Sequence, residues 1–492
     1  MRSLHCLFTS PRTTLLSLCL VTLALLAISS PVKAQSKYTA LPQPVVDELA
    51  RQGLSKSNFG LWVAPVNGGE PLLAYQHDYL FNPASTMKLV TSIAALDILG
   101  PTFSWETQVY ADARPKNGII EGNLYIKGTG DPQFRSQDMW SLVHRLEDLG
   151  IKRITGDIIL DDGHFIPPAI DPGDFDNRPD RTYNALPGAL LLDNRAVRIS
   201  ISATDQNQRP VVRAWPPNPN LDIRPKLTVS NQRCQWANRN PEIRITNPTE
   251  AHSRIEIIGD FSTQCRPNTI YRVAGDPADA FFYTFAELFS RTGGVIDGHW
   301  RGGTVSEQAV KIISHQSRTL SQYLWLMNKW SNNLMARQIL LTLAAELHGA
   351  PATEDSARMV LNQWLRSRGL IWPGFYIDNG SGLSRDARIT PQQLGTLLVE
   401  TFNGPYMAEL LSTLPIAGVD GTMRNRLTDE PVRGHAHIKT GTLRDVRAGA
   451  GYILTRSGQR YAVVMLHNET NVQMGGGTRV QDAVLRWLYE NG

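Results

Sequence analysis

The sequence predicts an α+β fold in which helices flank an antiparallel sheet and a large insertion rich in short strands interrupts the chain. Residues 89–99 are apolar on nearly all sides and end at a Gly-Pro pair, which predicts a buried central helix. Alternating segments within residues 58–75, joined through Asn-Gly-Gly, predict a hairpin, and residues 448–467 predict two further strands. Between residues 105 and 310, short alternating segments are separated by Gly, Pro and Asn clusters.

Residues 1–34 are typical of a secretory signal peptide that is cleaved after Ala34. They combine a basic start, an apolar core at residues 15–28 and a small-residue end. A membrane anchor is the alternative, but this core is shorter than the roughly 20 residues that span a bilayer. We therefore expect an exported protein, periplasmic or associated with the cell wall, that keeps no transmembrane segment after cleavage.

The charge balance argues against nucleic-acid partners. The formal net charge of the whole chain is +4, and Arg2, Arg12 and Lys33 fall in the leader, so about +1 remains in the mature part. No polybasic block is present to bind nucleic acid or a membrane surface. The length of 492 residues, with 42% hydrophobic and 19% charged residues, is ordinary for a globular protein of two or three domains.

The sequence PASTMK at residues 83–88 places a nucleophile beside a base. Ser85 and Lys88 lie three positions apart at the head of the predicted central helix, so their Cβ atoms are expected roughly 5–6 Å apart on one face. The helix dipole favours negative charge at its N-terminus, and burial lowers the pKa of a lysine from its usual value of about 10.4. The pattern alone is weak, because residues 30–33 match it inside the leader.

Two companion motifs strengthen this interpretation. Ser331-Asn332-Asn333 interrupts a helical run over residues 320–347, and Lys439-Thr440-Gly441-Thr442 lies on the first of two predicted adjacent antiparallel strands. Either motif alone is compatible with a helix cap or a turn. The order S-x-x-K, S-x-N, K-T-G, with each motif on the expected element, predicts a single site.

Roughly 200 residues of this strand-rich kind, between about 105 and 310, lie between the first two motifs, which predicts an insertion that folds on its own. Within it, residues 204–272 read as a second β module nested in the first. The predicted organisation is a signal peptide at 1–34, a discontinuous domain at 35–104 and 311–492, an inserted domain at 105–203 and 273–310, and a nested β domain at 204–272.

Cys234 and Cys265 are the two cysteines that remain after the leader is removed. In an oxidising compartment this pair could close a disulfide within one lobe. The sequence leaves the pairing open, because it does not fix the distance between the two Cα atoms.

The three motifs together resemble those of the serine penicillin-recognising enzymes. The chain also carries DNGSGLSR at residues 378–385, GVDGTM at 418–423, KTGTL at 439–443 and YNA at 183–185. With these stretches it is similar to the D-alanyl-D-alanine carboxypeptidase/endopeptidase family of class C penicillin-binding proteins, of the S13 type. The resemblance covers nearly the whole mature chain and implies a penicillin-binding, β-lactamase-like transpeptidase domain.

The resemblance implies a role for each motif residue. Ser85 would attack a peptide carbonyl while Lys88 takes its proton, and the N–H groups of Ser85 and Thr442 would hold the oxyanion. Lys439 would supply positive charge for a substrate carboxylate. Ser331 would bridge the two lysines and relay a proton, and Asn333 would bind the acyl-side amide. Further substrate contacts are expected from Thr440, Gly441 and Thr442.

Two weaker candidates come from the same resemblance. Arg385 ends the GSGLSR stretch, and Asp180 precedes the YNA stretch, where family members carry an acid that recognises an amine on the peptide stem. Asp174 and Asp176 are alternatives to Asp180.

The implied activity is a serine-type D-Ala-D-Ala carboxypeptidase, endopeptidase or both, acting on peptidoglycan stem peptides and acylated by β-lactams. A β-lactamase or esterase on the same fold is the alternative, although the chain has Ser-Asn-Asn at residues 331–333 rather than S-D-N. A catalytically inactive cell-wall binding protein is the third hypothesis. No cofactor or metal is expected, since His435 and His437 would offer only two ligands on one strand face. The oligomeric state stays open.

Overall fold

The computed structural model describes residues 37–204, 209–247 and 252–492. The predicted signal peptide, residues 1–34, lies outside the described residues. Among the described residues, no helix combines the length and the apolar character that a membrane crossing requires.

The described residues form ten α-helices, which we number in chain order. They are α1 (Gln43–Arg51), α2 (Lys88–Leu99), α3 (Ser136–Asp148), α4 (Pro277–Arg291), α5 (Leu320–Trp330), α6 (Asn333–His348), α7 (Glu354–Ser367), α8 (Pro391–Phe402), α9 (Met407–Thr413) and α10 (Gly476–Asn491).

Nineteen strands accompany these helices in the described part of the chain. They are β1 (Phe59–Pro65), β2 (Leu73–Tyr75), β3 (Ser104–Ala111), β4 (Ile119–Ile120), β5 (Leu124–Gly128), β6 (Arg153–Ile154), β7 (Ile158–Asp161), β8 (Val197–Thr204), β9 (Arg209–Trp215), β10 (Leu221–Ser230), β11 (Glu242–Thr246), β12 (Ser253–Ser262), β13 (Asn268–Arg272), β14 (Val295–Ile296), β15 (Trp300–Gly302), β16 (Val310–Thr319), β17 (Ala436–Leu443), β18 (Val446–Leu454) and β19 (Arg460–Asn468).

The main sheet is antiparallel throughout and joins the two ends of the chain. Its strand order is β17-β18-β19-β1-β2. Side chains alternate along β1, so that Trp62 packs in the core with α2, α5, α6 and α8, whereas Leu61 packs in a second core with α1 and α10. Helices therefore cover both faces of an antiparallel sheet, and the predicted α+β class is confirmed.

Helix α2 lies at the centre of the larger core. Its residues from Lys88 to Leu96 are all buried, and each fully buried aliphatic side chain contributes about 1.5–3 kcal/mol. The helix ends where Gly100 adopts a φ of 79° and its N–H donates to the Leu96 carbonyl at 3.1 Å. This burial holds in place the helix that begins with Lys88, the predicted base, and that directly follows the turn with Ser85, the predicted nucleophile.

The inserted region forms a second five-stranded sheet in the order β15-β7-β5-β3-β16 and a small sheet of β14, β6 and β4. Helices α3 and α4 pack on this region through one apolar cluster. Residues 154–160, one of the alternating segments of this region, contribute to two strands, β6 and β7. Strand β16, at residues 310–319, pairs with β3 at the edge of the second five-stranded sheet.

The nested module consists of two three-stranded sheets, β10-β12-β11 and β13-β8-β9, around a shared apolar core. Strand β8 starts at Val197, so the pairing includes residues before the expected boundary at 204. Cys234 and Cys265 form a disulfide with their Cα atoms 5.0 Å apart, a pairing that the sequence left open.

Candidate active site

Ser85 lies in a 3₁₀ turn, Ala84–Met87, that leads directly into α2. Ala84 has a φ of 45°, an unusual value for a residue with a side chain, and its N–H donates to Asn82 Oδ1 at 2.9 Å. Asn82 in turn donates from Nδ2 to the Ser384 carbonyl at 2.8 Å. The serine is thus presented by a strained turn that a buried amide holds in place.

Gly382 packs directly against this turn. Its φ is 75°, and a Cβ atom on it would lie 1.9 Å from the Ala84 carbonyl oxygen. Only glycine permits the chain to pass so close to the nucleophile turn.

The Lys88 amine is fully buried and lies 3.1 Å from Ser85 Oγ. Its other neighbours are Asn333 Oδ1 at 2.7 Å and the Ser381 carbonyl oxygen at 2.5 Å. Burial, and secondly the charge of Lys439, hold the pKa of Lys88 well below its usual value. A neutral amine can donate its two hydrogens to these two oxygens and turn its lone pair toward the Ser85 hydroxyl, as a general base requires.

The Lys439 amine is held by Ser331. Its amine donates to Ser331 Oγ and to the Thr440 carbonyl, both at 2.8 Å. Burial lowers the pKa of Lys439 to about 7. We expected Ser331 to bridge the two lysines. In the structure two residues contact them instead, because Lys439 donates to Ser331 and Lys88 donates to Asn333.

Ser331 and Asn333 are positioned by the break between α5 and α6. Ser331 takes a left-handed conformation with a φ of 58° at the end of α5, and Asn332 caps α6 by accepting from Met335 N. Asn333 Nδ2 donates to the Tyr183 carbonyl at 3.1 Å, which brings the YNA stretch to the site.

The edge strand β17 lies against the nucleophile turn. A Cβ atom on Gly441 would lie 2.9 Å from both Pro83 O and Ser85 N, so glycine is required for this approach. Ile438 N–H points away from β18 and donates to the Pro415 carbonyl at 2.8 Å. By the two-residue period of a strand, Thr442 N–H points to the same open edge, toward Ser85.

The threonine hydroxyls of β17 have partners within the protein. Thr440 Oγ1 lies 2.7 Å from Thr422 Oγ1, and Thr442 Oγ1 accepts from Arg447 at 2.6 Å. Burial lowers the pKa of Arg447 to about 10. These contacts orient the two hydroxyls of β17.

A partly buried ion pair that the sequence reasoning missed lies two residues before Thr422. Lys329 Nζ lies 2.7 Å from Asp420 Oδ2 and donates to the Leu414 carbonyl at 2.6 Å. Asp420 also accepts from Ile416 N at 2.8 Å. Lys329 is the only charged residue in the helical run 320–330 and lies two positions before Ser331, and this pattern could have indicated the pair.

Arg385 and Asp180 have different surroundings. The Arg385 guanidinium lies 4.4 Å from the Phe175 ring centroid, and Phe175 packs in a cluster with Ala84, beside the nucleophile. Asp180 instead pairs with Arg272 at 3.0 Å.

Of the two alternatives to Asp180, Asp176 contacts the YNA stretch. It accepts from Tyr183 Oη and from Asn184 Nδ2, both at 2.8 Å. Asp174 accepts from the N–H of Asp171 at 3.2 Å within its own loop. The contacts therefore place Asp176 next to a residue that bonds Asn333.

In the described part of the chain, no three His, Cys, Asp or Glu side chains gather closely enough to hold a metal ion. The His435 ring packs edge-on against Tyr489, and burial lowers the pKa of His437.

Comparison with known proteins gives a consistent result. Residues 42–490 match the D-Ala-D-Ala carboxypeptidase 3 (S13) family. The chain is 26% identical over 430 residues to the D-alanyl-D-alanine carboxypeptidase DacB of Haemophilus influenzae, covering 86% of this chain and 88% of that one. It is also 26% identical over 451 residues to a D-alanyl-D-alanine carboxypeptidase of Actinomadura sp. strain R39, covering 88% and 83%. The crystal structure of penicillin binding protein 4 from Haemophilus influenzae has a similar fold, with a TM-score of 0.76 at 24% identity and coverage of 91% and 99%.

Proposed function

Because this chain belongs to the D-Ala-D-Ala carboxypeptidase 3 (S13) family, we propose that it is a serine-type D-Ala-D-Ala carboxypeptidase acting through an acyl-enzyme on Ser85. The family predicted from the sequence is confirmed. The observation that carries the proposal is the buried Lys88 amine, with its lowered pKa, 3.1 Å from Ser85 Oγ.

Acylation follows from this contact. Lys88 takes the hydroxyl proton, Ser85 Oγ bonds to the carbonyl carbon of the penultimate D-alanine, and the C–N bond to the terminal D-alanine breaks. The Lys88 ammonium returns this proton through the Ser331 hydroxyl to the departing amine, so that Lys88 is neutral again; Ser331 also accepts a hydrogen bond from Lys439. Water then attacks the ester with Lys88 again as the base, which releases the shortened peptide and restores Ser85.

The N–H groups of Ser85 and Thr442 serve as the oxyanion hole. The contact of Gly441 with Ser85 N supports this role, because it sets the edge of β17 directly beside the nucleophile. Donors of this kind typically contribute ~10²–10³ in rate each.

The substrate is the D-Ala-D-Ala end of a peptidoglycan stem peptide, and β-lactams acylate the same serine as mimics of that bond. Lys439, with Thr440 and Thr442 beside it, binds the terminal carboxylate through charge-assisted hydrogen bonds. Cleavage of peptide cross-links is the second activity. The predicted signal peptide supports a location in the periplasm or at the cell wall for both activities.

Two assays test this function. Benzylpenicillin should label Ser85 and leave it slowly, and purified stem pentapeptide should release D-alanine, with both reactions lost in Ser85→Ala. Fast release of the label without D-alanine formation would identify a β-lactamase. The absence of both reactions would identify an inactive wall-binding protein.

A further inference from the structure

A cleft of about 920 Å³ opens from the motif residues toward the inserted modules. Ser331 and Asn333 line one end, and residues of α3, β9 and β13 line the other. Ligand sites of roughly 300–1,000 Å³ hold molecules much larger than one amino acid. Whatever binds at Ser331 can therefore continue along this cleft.

Aromatic side chains are over-represented in its lining. Trp140, Tyr183, Trp215, Tyr271 and Trp330 make up five of the eighteen lining residues, whereas aromatic residues form 8% of the chain. We call this feature the aromatic cleft. Trp330, Trp140 and Tyr271 are 55%, 54% and 53% exposed. Large rings left this exposed in one concavity are typical of a binding site.

Several of the rings are already held in position. Trp215 Nε1 donates to Ser136 Oγ at 2.6 Å, which ties the end of β9 to the start of α3. The Trp140 ring lies 4.0 Å from the His144 ring, and Arg424 lies 5.7 Å from the Trp330 ring. A preformed wall loses little conformational freedom when a ligand binds.

Polar side chains between the rings identify the chemistry of the occupant. Gln137, Asn194, Arg135 and Arg198 also line the aromatic cleft, so a purely apolar ligand would leave polar groups unpaired. A ligand with apolar faces and polar edges can stack on the aromatic rings and hydrogen-bond to the polar side chains. A pyranose with hydroxyl and acetamido groups has this form. The near-neutral mature chain does not favour a nucleic acid, the other common partner of stacked aromatic rings.

We propose that the aromatic cleft binds the N-acetylated amino sugar to which the stem peptide is attached, so that the enzyme prefers saccharide-linked peptide over bare peptide. This inference rests on the proposed function, because the peptide end must lie at Ser85 and Ser331. The continuity of the cleft with Ser331 and Asn333 favours this occupant over an unrelated ligand.

The first test compares two substrates that share one stem pentapeptide, one bare and one linked to its disaccharide. The wild-type protein should show a higher kcat/KM for the linked substrate. The double variant Trp140→Ala, Tyr271→Ala should lose that advantage, about tenfold, and keep its kcat/KM for the bare peptide. Trp236→Ala is the matched control, because Trp236 is 80% exposed and lies outside the cleft lining.

Equal wild-type kcat/KM for the two substrates would overturn the proposal, as would an equal loss on both in the double variant. A preference for a sugar-free cross-linked peptide dimer would also overturn it, by assigning the cleft to a second peptide. Calorimetric titration with chitotetraose, an N-acetylglucosamine oligomer, supplies a readout without turnover. Binding should occur in the wild type and disappear in the double variant, and no binding to the wild type contradicts the proposal. Failure of the proposed function would instead appear as no D-alanine release from either substrate.

Discussion

Two regions of the same core bury lysine amines in opposite ways. Around Lys88 and Lys439, the hydrogen-bond partners are hydroxyl, amide and carbonyl groups. Where α5 meets residues 418–423, the Lys329 amine instead faces the Asp420 carboxylate at 2.7 Å. At Lys88 and Lys439, where only neutral groups accept from the amine, burial lowers the pKa.

The difference shows that the partner, not burial alone, decides what a lysine does. Lys88 is suited to the proposed role of general base because no carboxylate contacts its amine, and burial and the charge of Lys439 lower its pKa. Lys329, on α5, instead holds Asp420 in place through an ion pair, which we call the Lys329–Asp420 clamp. Thr422 follows two residues after Asp420 and contacts Thr440.

Replacing the uncompensated base should have the largest effect. Lys88→Met fills a similar volume but has no lone pair to accept the serine proton, so kcat for D-alanine release should fall by about 10⁴. The melting temperature should not fall, because a buried amine is removed. Lys152→Met is the control, since Lys152 is exposed. Retention of kcat within tenfold in Lys88→Met would contradict the assigned role.

Breaking the compensated pair should act mainly on stability. Lys329→Met leaves Asp420 without its cation and should cost about 3 kcal/mol, at the low end for buried pairs because the Asp420 side chain is 34% exposed. Urea unfolding measures this cost. Adding Asp420→Asn should recover most of it, because the amide still accepts from Ile416 N. An unchanged free energy of unfolding in the single variant would show that the Lys329–Asp420 pair does not stabilise the fold.

The pH dependence separates the two lysines of the active site. In the free enzyme Lys439 loses its proton as the pH rises through about 7, so kcat/KM for a peptide with a free terminal carboxylate should decline above that pH, up to about tenfold per unit. Activity should also fall at low pH, where Lys88 becomes protonated. A substrate ending in D-alaninamide should lack the alkaline decline. Identical profiles for both substrates would exclude Lys439 as the carboxylate partner.

The smallest effect on catalysis is expected at Thr422, which contacts Thr440 of β17. Thr422→Val removes the hydroxyl that lies 2.7 Å from Thr440 Oγ1, a neutral hydrogen bond worth about 0.5–1.5 kcal/mol. The expected result is a rise in KM of a few fold with kcat little changed. Thr428→Val, at an exposed threonine of the same segment, is the matched control and should leave both constants unchanged. A large fall in kcat would give Thr422 a role beyond orientation.

Short-range patterns account for what the sequence could predict. Ser85 and Lys88 are three residues apart on one turn, so their contact follows from helix geometry, and Ser331, Asn333 and Lys439 lie on the elements that their spacing indicated. The main sheet and α2 followed from alternation and continuous apolar character. These features depend on neighbours in the chain.

Contacts between distant segments were not predictable in the same way. The Ser381 carbonyl that meets Lys88 is 293 positions away from it, and Asp420 is 91 positions from Lys329. Neither contact has a periodic signature, because tertiary packing alone brings the groups together. Helix α9 was missed for a related reason, since a seven-residue helix is too short to show a clear period.

The protonation state of Lys88 tests the central claim most directly. Protein labelled with ¹³C at the lysine ε-carbon can be titrated by NMR, with Lys88→Arg used to assign the resonance. The account predicts that Lys88 titrates well below the value of about 10.4 shown by surface lysines. Titration together with the surface lysines would contradict it, because the amine beside Ser85 would then be a cation at neutral pH and could not accept the serine proton.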